Sequence, residues 1–156
     1  MSPSSLVRKI LSPNATGDAV NEATLQQALV DHVRQVHGLL VVEFAKPGTH
    51  GRLRGVLPSG WPDWCVIGTT SRTWFQYSGG LATRADSRSV VQTGVHVYFE
   101  TKMMRGKLSL DQIAMHEAIA AAGCRVEVIQ TDSIADGIFQ LEAVLRGEGF
   151  TLREWS

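Results

Sequence analysis

The sequence predicts an α/β fold, a central mixed β-sheet flanked by helices. Two observations carry this. Three segments open on a helix-capping residue, Asn21, Ser109 and Ser133, and close at or near a glycine, Gly38, Gly123 and Gly147. Between and around them lie runs rich in β-branched and aromatic residues, at 39–44, 64–67, 95–102 and 125–129, which favour strands. Elements that alternate in this way stack as layers on one core. A chain of 156 residues, 44% of them hydrophobic, is long enough to bury that core as a single domain.

In chain order, residues 1–20 read as an irregular N-terminal arm with a short apolar patch, Leu6-Val7 and Ile10-Leu11. Residues 21–156 read as one domain. Its first helix runs to about His37, with Leu25, Leu29, Val33 and Val36 on one stripe. A strand over Leu39–Phe44 follows, then a loop over 46–61 that holds four glycines with Lys46, His50, Arg52 and Arg54. Trp64-Cys65-Val66-Ile67 is a short, continuously apolar strand. Residues 69–94 form a polar excursion around the island Trp74-Phe75-Gln76-Tyr77, either a hairpin or a flexible loop. The strand 95–102 leads through Gly106 to Ser109-Leu110-Asp111-Gln112, which has the form of a capping box. Arg125–Ile129 alternates as a strand. Ile134, Ile138, Leu141, Val144 and Leu145 then lie at helical spacing.

The formal net charge is zero, but it is unevenly spread. Residues 46–107 hold nine Lys or Arg against three acids, and residues 108–156 hold three basic residues against eight acids. The asymmetry fits a positive face that attracts a polyanion, and it also fits ordinary scattered surface charge. No run approaches a membrane span, and the first twenty residues lack an apolar signal-peptide core. Cys65 and Cys124 lack ligand-type spacing and sit in apolar surroundings, so both are expected as buried reduced thiols in a cytoplasmic protein.

One constellation carries chemistry. Glu100 and Lys102, two positions apart, point to the same face at the end of a strand. Asp63 opens another strand after Gly60-Trp61-Pro62, and Gln112 sits in the first turn of the next helix. Two carboxylates on neighbouring strands supply the hard oxygen ligands that Mg²⁺ prefers. A lysine beside them can position or deprotonate a water and offset charge on a phosphate. Singly, each residue has a plainer reading: a turn at Pro62-Asp63, a surface ion pair at Glu100-Thr101-Lys102, a capping partner at Gln112.

With these residues the chain resembles the PD-(D/E)XK nuclease superfamily, and within it the VRR-NUC domain. The resemblance rests on Gly60-Trp61-Pro62-Asp63, Glu100-Thr101-Lys102, Gly106-Lys107 and Leu108-Ser109-Leu110-Asp111-Gln112. It extends over roughly residues 21–145. It implies a restriction-endonuclease-like core and Mg²⁺- or Mn²⁺-dependent endonucleolytic hydrolysis of DNA, leaving 5′-phosphate and 3′-hydroxyl ends. By carry-over Asp63, Glu100 and the Thr101 backbone carbonyl would be metal ligands, and Lys102 the catalytic lysine. Gln112 would orient a ligand or the attacking water. Glu22 matches the glutamate such enzymes often add from their first helix, and reads equally as an acid placed well at a helix N-terminus.

Stand-alone members resemble Holliday-junction resolvases, which implies a homodimer selective for branched DNA. A nicking or restriction-type nuclease that works with partner proteins, and a catalytically silent DNA-binding module, are the alternatives. Arg52, Arg54, Arg84, Arg88, Arg105 and Lys107 are the candidate DNA contacts. The 36 residues between Asp63 and Glu100 exceed what compact members need for a hairpin and leave the substrate preference open. Among the histidines, His116 lies four residues after Gln112, placed to look toward the site or simply to pack.

Overall fold

The computed structural model describes residues 20–44, 57–76 and 87–152, with residues 72–76 and 87–91 described by their backbone alone. Four strands form one mixed sheet in the order β1-β2-β3-β4: β1 (Leu40–Glu43), β2 (Trp64–Gln76), β3 (Ser87–Lys102) and β4 (Arg125–Gln130). The first three are antiparallel neighbours, and β4 lies parallel to β3. Three helices among the described residues, α1 (Glu22–Arg34), α2 (Leu110–Ala121) and α3 (Ile134–Gly147), flank it.

Alternation along the strands decides which helix covers which face. Trp64 and Val66 on β2, with Val97 and Phe99 on β3, point to one side. There they form a fully buried core with Leu25, Leu29 and Val33 of α1 and Leu141 and Leu145 of α3. Trp64 and Phe99 stack with ring centroids 4.5 Å apart. The intervening residues Tyr98, Glu100 and Lys102 point to the other side, where α2 brings Gln112 and His116 to Glu100. The carboxylate and the amine are thus sandwiched between sheet and helix, and Glu100 is fully buried.

The caps fall where their residues predict. Asn21 and Thr24 form a capping box on α1, Ser109 and Gln112 form one on α2, and Ser133 accepts from the Asp136 amide on α3. Three expectations are corrected. α1 ends at Arg34 rather than near His37, with Gln35 as its C-cap, and Gly38 turns the chain at φ +82°. The strand at 64–67 continues to Gln76, and the one at 95–102 begins at Ser87. Most of the 69–94 excursion is therefore an antiparallel ribbon, paired from Gly68↔Val95 to Gln76↔Ser87. Its tip lies outside the described residues. Cys65 is buried, and burial pushes its thiol above the usual range, but Cys124 is only half-buried. Of the expected N-terminal arm only Val20 is described, and it packs against the core.

Candidate active site

The site forms where β2 begins and β3 ends. Asp63 is held at this point on three sides. Its amide donates to the Phe99 carbonyl at 3.0 Å, its carbonyl accepts from the Phe44 amide at 2.9 Å, and its Oδ2 accepts from the Thr101 amide at 3.1 Å. The turn before it is locked onto α2. Gly60 lies so close that a Cβ would sit 2.2 Å from the Asp111 carbonyl oxygen, at φ +80°. Only glycine satisfies both demands. Ser59 Oγ reinforces the contact by donating to Asp111 Oδ2 at 2.6 Å.

Glu100 Oε1 accepts from Lys102 Nζ at 2.8 Å and from Gln112 Nε2 at 2.5 Å. Lys102 Nζ also reaches Glu22 Oε1 at 3.3 Å, so the first residue of α1 joins the cluster. Burial pulls the Lys102 pKa down, but the ion pairs with Glu100 and Glu22 outweigh it and the net shift is upward. The amine is therefore a fixed ammonium in this arrangement, a charge rather than a base.

Gln112 has two tasks at once. Its Oε1 accepts from the Ser109 amide at 2.9 Å, closing the capping box, while its Nε2 holds Glu100. The capping role and the site role are the same side chain in the same rotamer. Thr101 faces the core, where its Oγ1 accepts from Trp64 Nε1 at 3.1 Å. Because a strand residue sends its N–H and C=O to the same edge, the Thr101 carbonyl leaves β3 on the side of Asp63. That is beyond the Trp64↔Phe99 pair where the β2 ladder stops.

The donor chemistry fits a hard divalent cation: two buried carboxylates on rigid strand ends and a backbone carbonyl directed to the same side. Among the described residues no three His, Cys, Asp or Glu side chains are gathered into a metal cage. The set that fits has two such side chains, with the carbonyl and solvent to complete it. Lys102 pairs its one positive charge with two carboxylates, Glu22 and Glu100, while Asp63 is tied to the amide of Thr101, the residue before Lys102.

Two groups at the site lay outside the sequence expectations or at their margin. His116 Nε2 lies 4.0 Å from Glu100 Oε2, and its pKa is lowered by burial first and by the Lys102 charge next, against the pull of Asp63. Gln130, opposite Lys102 in the β3–β4 register, donates to the carbonyls of Met103, Met104 and Gly106 and so shapes the turn after Lys102. Its place at the strand end beside Lys102 was the available signal. That turn exposes Arg105 and Lys107 next to the site. Arg88 lies on β3 opposite Phe75 by backbone pairing, whereas Arg52, Arg54 and Arg84 fall outside the described residues.

No family model matches the chain, and no curated protein matches it.

Proposed function

We infer that this chain is a Mg²⁺- or Mn²⁺-dependent DNA endonuclease of the PD-(D/E)XK type, resembling VRR-NUC domains. The observation that carries this reading is the convergence of Asp63, Glu100, Lys102, Gln112 and Glu22 from four separate elements at one end of the sheet. A structural ion pair needs only two of them.

Asp63, Glu100 and the Thr101 carbonyl would hold the cation. When bound, it would polarise a phosphate oxygen and lower the pKa of a water. Lys102, kept protonated by its carboxylate neighbours, would balance the charge that grows on the phosphorus oxygens as the water attacks and the 3′ oxygen departs. Gln112 fixes the rotamer of Glu100, so the ligand oxygen is placed before substrate arrives. Glu22 is a second carboxylate on the Lys102 amine besides Glu100 and helps hold it in place. Branched DNA such as a four-way junction is the proposed substrate and a homodimer the proposed assembly, since one small domain offers one site.

The test is a panel of labelled linear, nicked, flap and four-way DNAs with Mg²⁺ or Mn²⁺. Wild type should cut at least one of them. Lys102→Ala should lose roughly a hundredfold or more in rate, the scale of removing one transition-state donor, while still binding Mn²⁺. Asp63→Asn should lose both cleavage and Mn²⁺ affinity, the latter read by calorimetry. Tight DNA binding with no cleavage of any substrate by wild type would leave the binding-module alternative in place.

A further inference from the structure

Beside Asp63 opens a cleft of about 350 Å³, most of whose lining has no part in the proposed hydrolysis. Asp63 and Gln112 form its inner edge. Phe44, Leu57, Pro58 and Trp61 form its apolar walls. The aromatic walls are braced rather than loose. Trp61 meets Phe44 edge-on at 5.9 Å and Tyr98 edge-on at 5.7 Å, and Phe44 lies stacked near Tyr98 at 6.2 Å. All three rings are only half-buried. The Gly60 contact and the Ser59–Asp111 hydrogen bond fix this turn against α2, so this side of the cleft is held in place by the fold. The Trp61 indole Nε1 is itself buried and has no hydrogen-bond partner among the described residues.

A cavity of this size is at the small end for organic ligands. Among the described residues it has aromatic walls, the hydroxyl and amide groups of Ser59, Ser109 and Gln112, and the Asp63 carboxylate at one edge. That chemistry suits a planar heterocycle, and among the described residues its lining holds no cation for a phosphate. We propose that the cleft receives one unpaired nucleobase, belonging to the nucleotide next to the phosphate bound at Asp63. The inference rests on the nuclease reading, and it names the substrate class: DNA with a base displaced from its stack near the cut. Base-to-aromatic contact of this kind is worth ~1–3 kcal/mol per base. Within a duplex the base would first have to leave its stack, so a junction, bulge or single-stranded end is favoured over continuous duplex.

The experiment compares fluorescein-labelled DNAs that differ at one position: fully paired, a single unpaired base, and the same unpaired position made abasic. Binding is read by anisotropy in Ca²⁺, and cleavage in Mn²⁺. Wild type should bind the unpaired-base DNA at least about tenfold more tightly than the abasic one, equal to about 1.4 kcal/mol. Trp61→Ala should collapse that ratio toward one, and Trp61→Phe should retain most of it. Leu57→Trp, which enlarges one wall into the cleft while leaving Trp61 in place, should also abolish the ratio if Trp61→Ala fails to fold. Equal affinity of wild type for unpaired-base and abasic DNA, with cleavage of both, overturns the cleft inference and leaves the nuclease reading standing. A retained base preference with no cleavage of any DNA overturns the nuclease reading and leaves the cleft as a base-binding site.

Discussion

Gln112 shows how much one side chain can be asked to do. Its oxygen caps α2 and its nitrogen holds a fully buried carboxylate, so the two roles separate cleanly by substitution. Gln112→Glu keeps an acceptor for the Ser109 amide but replaces the donor toward Glu100 with a second carboxylate. A capping residue alone would tolerate this change. Here it should cost ~1–3 kcal/mol of stability, the scale of spoiling a buried polar contact, and lower cleavage at least about tenfold, or ~1.4 kcal/mol of barrier. Urea denaturation and the cleavage assay check the two halves separately. A Gln112→Glu protein as stable and active as wild type would reduce the residue to its capping role. Lys102 is the complementary case: its amine pairs with both Glu100 and Glu22, so in the proposed reaction it would offer the substrate a positive charge.

At the scale of elements, what could be read in the sequence follows from which segments carry a one-sided burial pattern. Ser109 and Gln112, three apart before an apolar run, announce the α2 cap because the motif is local. Glu100 and Lys102 announce a shared face because a strand has period two. The lengths of β2 and β3 were not legible. Beyond Ile67, where β1 stops, and before Val97, where β4 starts, the two strands pair only with each other. The inward positions of this stretch are Gly68 and the buried Thr70 rather than large apolar residues, so Gly68-Thr69-Thr70-Ser71 reads as a loop. The aromatic group Phe44, Trp61 and Tyr98 was equally hidden, since three distant segments meet only once the sheet is assembled. The ribbon also holds its own test. A Cβ at Gly68 would lie 2.7 Å from both Leu39 Cδ2 and Phe150 Cε1, whereas one at Gly94 would meet nothing within 4 Å. Gly68→Ala should therefore destabilise by ~1–3 kcal/mol through overpacking. Gly94→Ala, one rung away on the partner strand, should stay within about 0.5 kcal/mol of wild type. Equal effects of the two in urea denaturation would mean that Phe150 does not seat against the sheet as described.

For the whole molecule, the question is how a chain of net charge zero would hold a polyanion. Its two halves use their charges differently. In the acidic C-terminal part, Arg125 is tied to Glu127 and Glu148, and Arg146 to Glu142, so these cations are engaged within the fold. Arg105 and Lys107 instead stand exposed on the turn that follows Lys102, with no ion pair among the described residues. Of the other basic residues in 46–107, Arg88 lies toward the far end of the β2–β3 ribbon, and Arg52, Arg54 and Arg84 lie outside the described residues. Binding built on such contacts is driven by counterion release and weakens steeply with salt, by about 0.9 in log–log slope for each phosphate neutralised. Replacing Arg84 and Arg88 together by alanine should flatten the slope by up to about two and weaken binding most at low salt. Sedimentation should show the proposed twofold assembly before and after the double substitution. A wild-type slope in the double variant at every salt concentration removes the ribbon from the DNA surface. If that variant also sediments as a monomer, the ribbon belongs to subunit association, and the DNA path must run over Arg105, Lys107 and the Gly-rich loop instead.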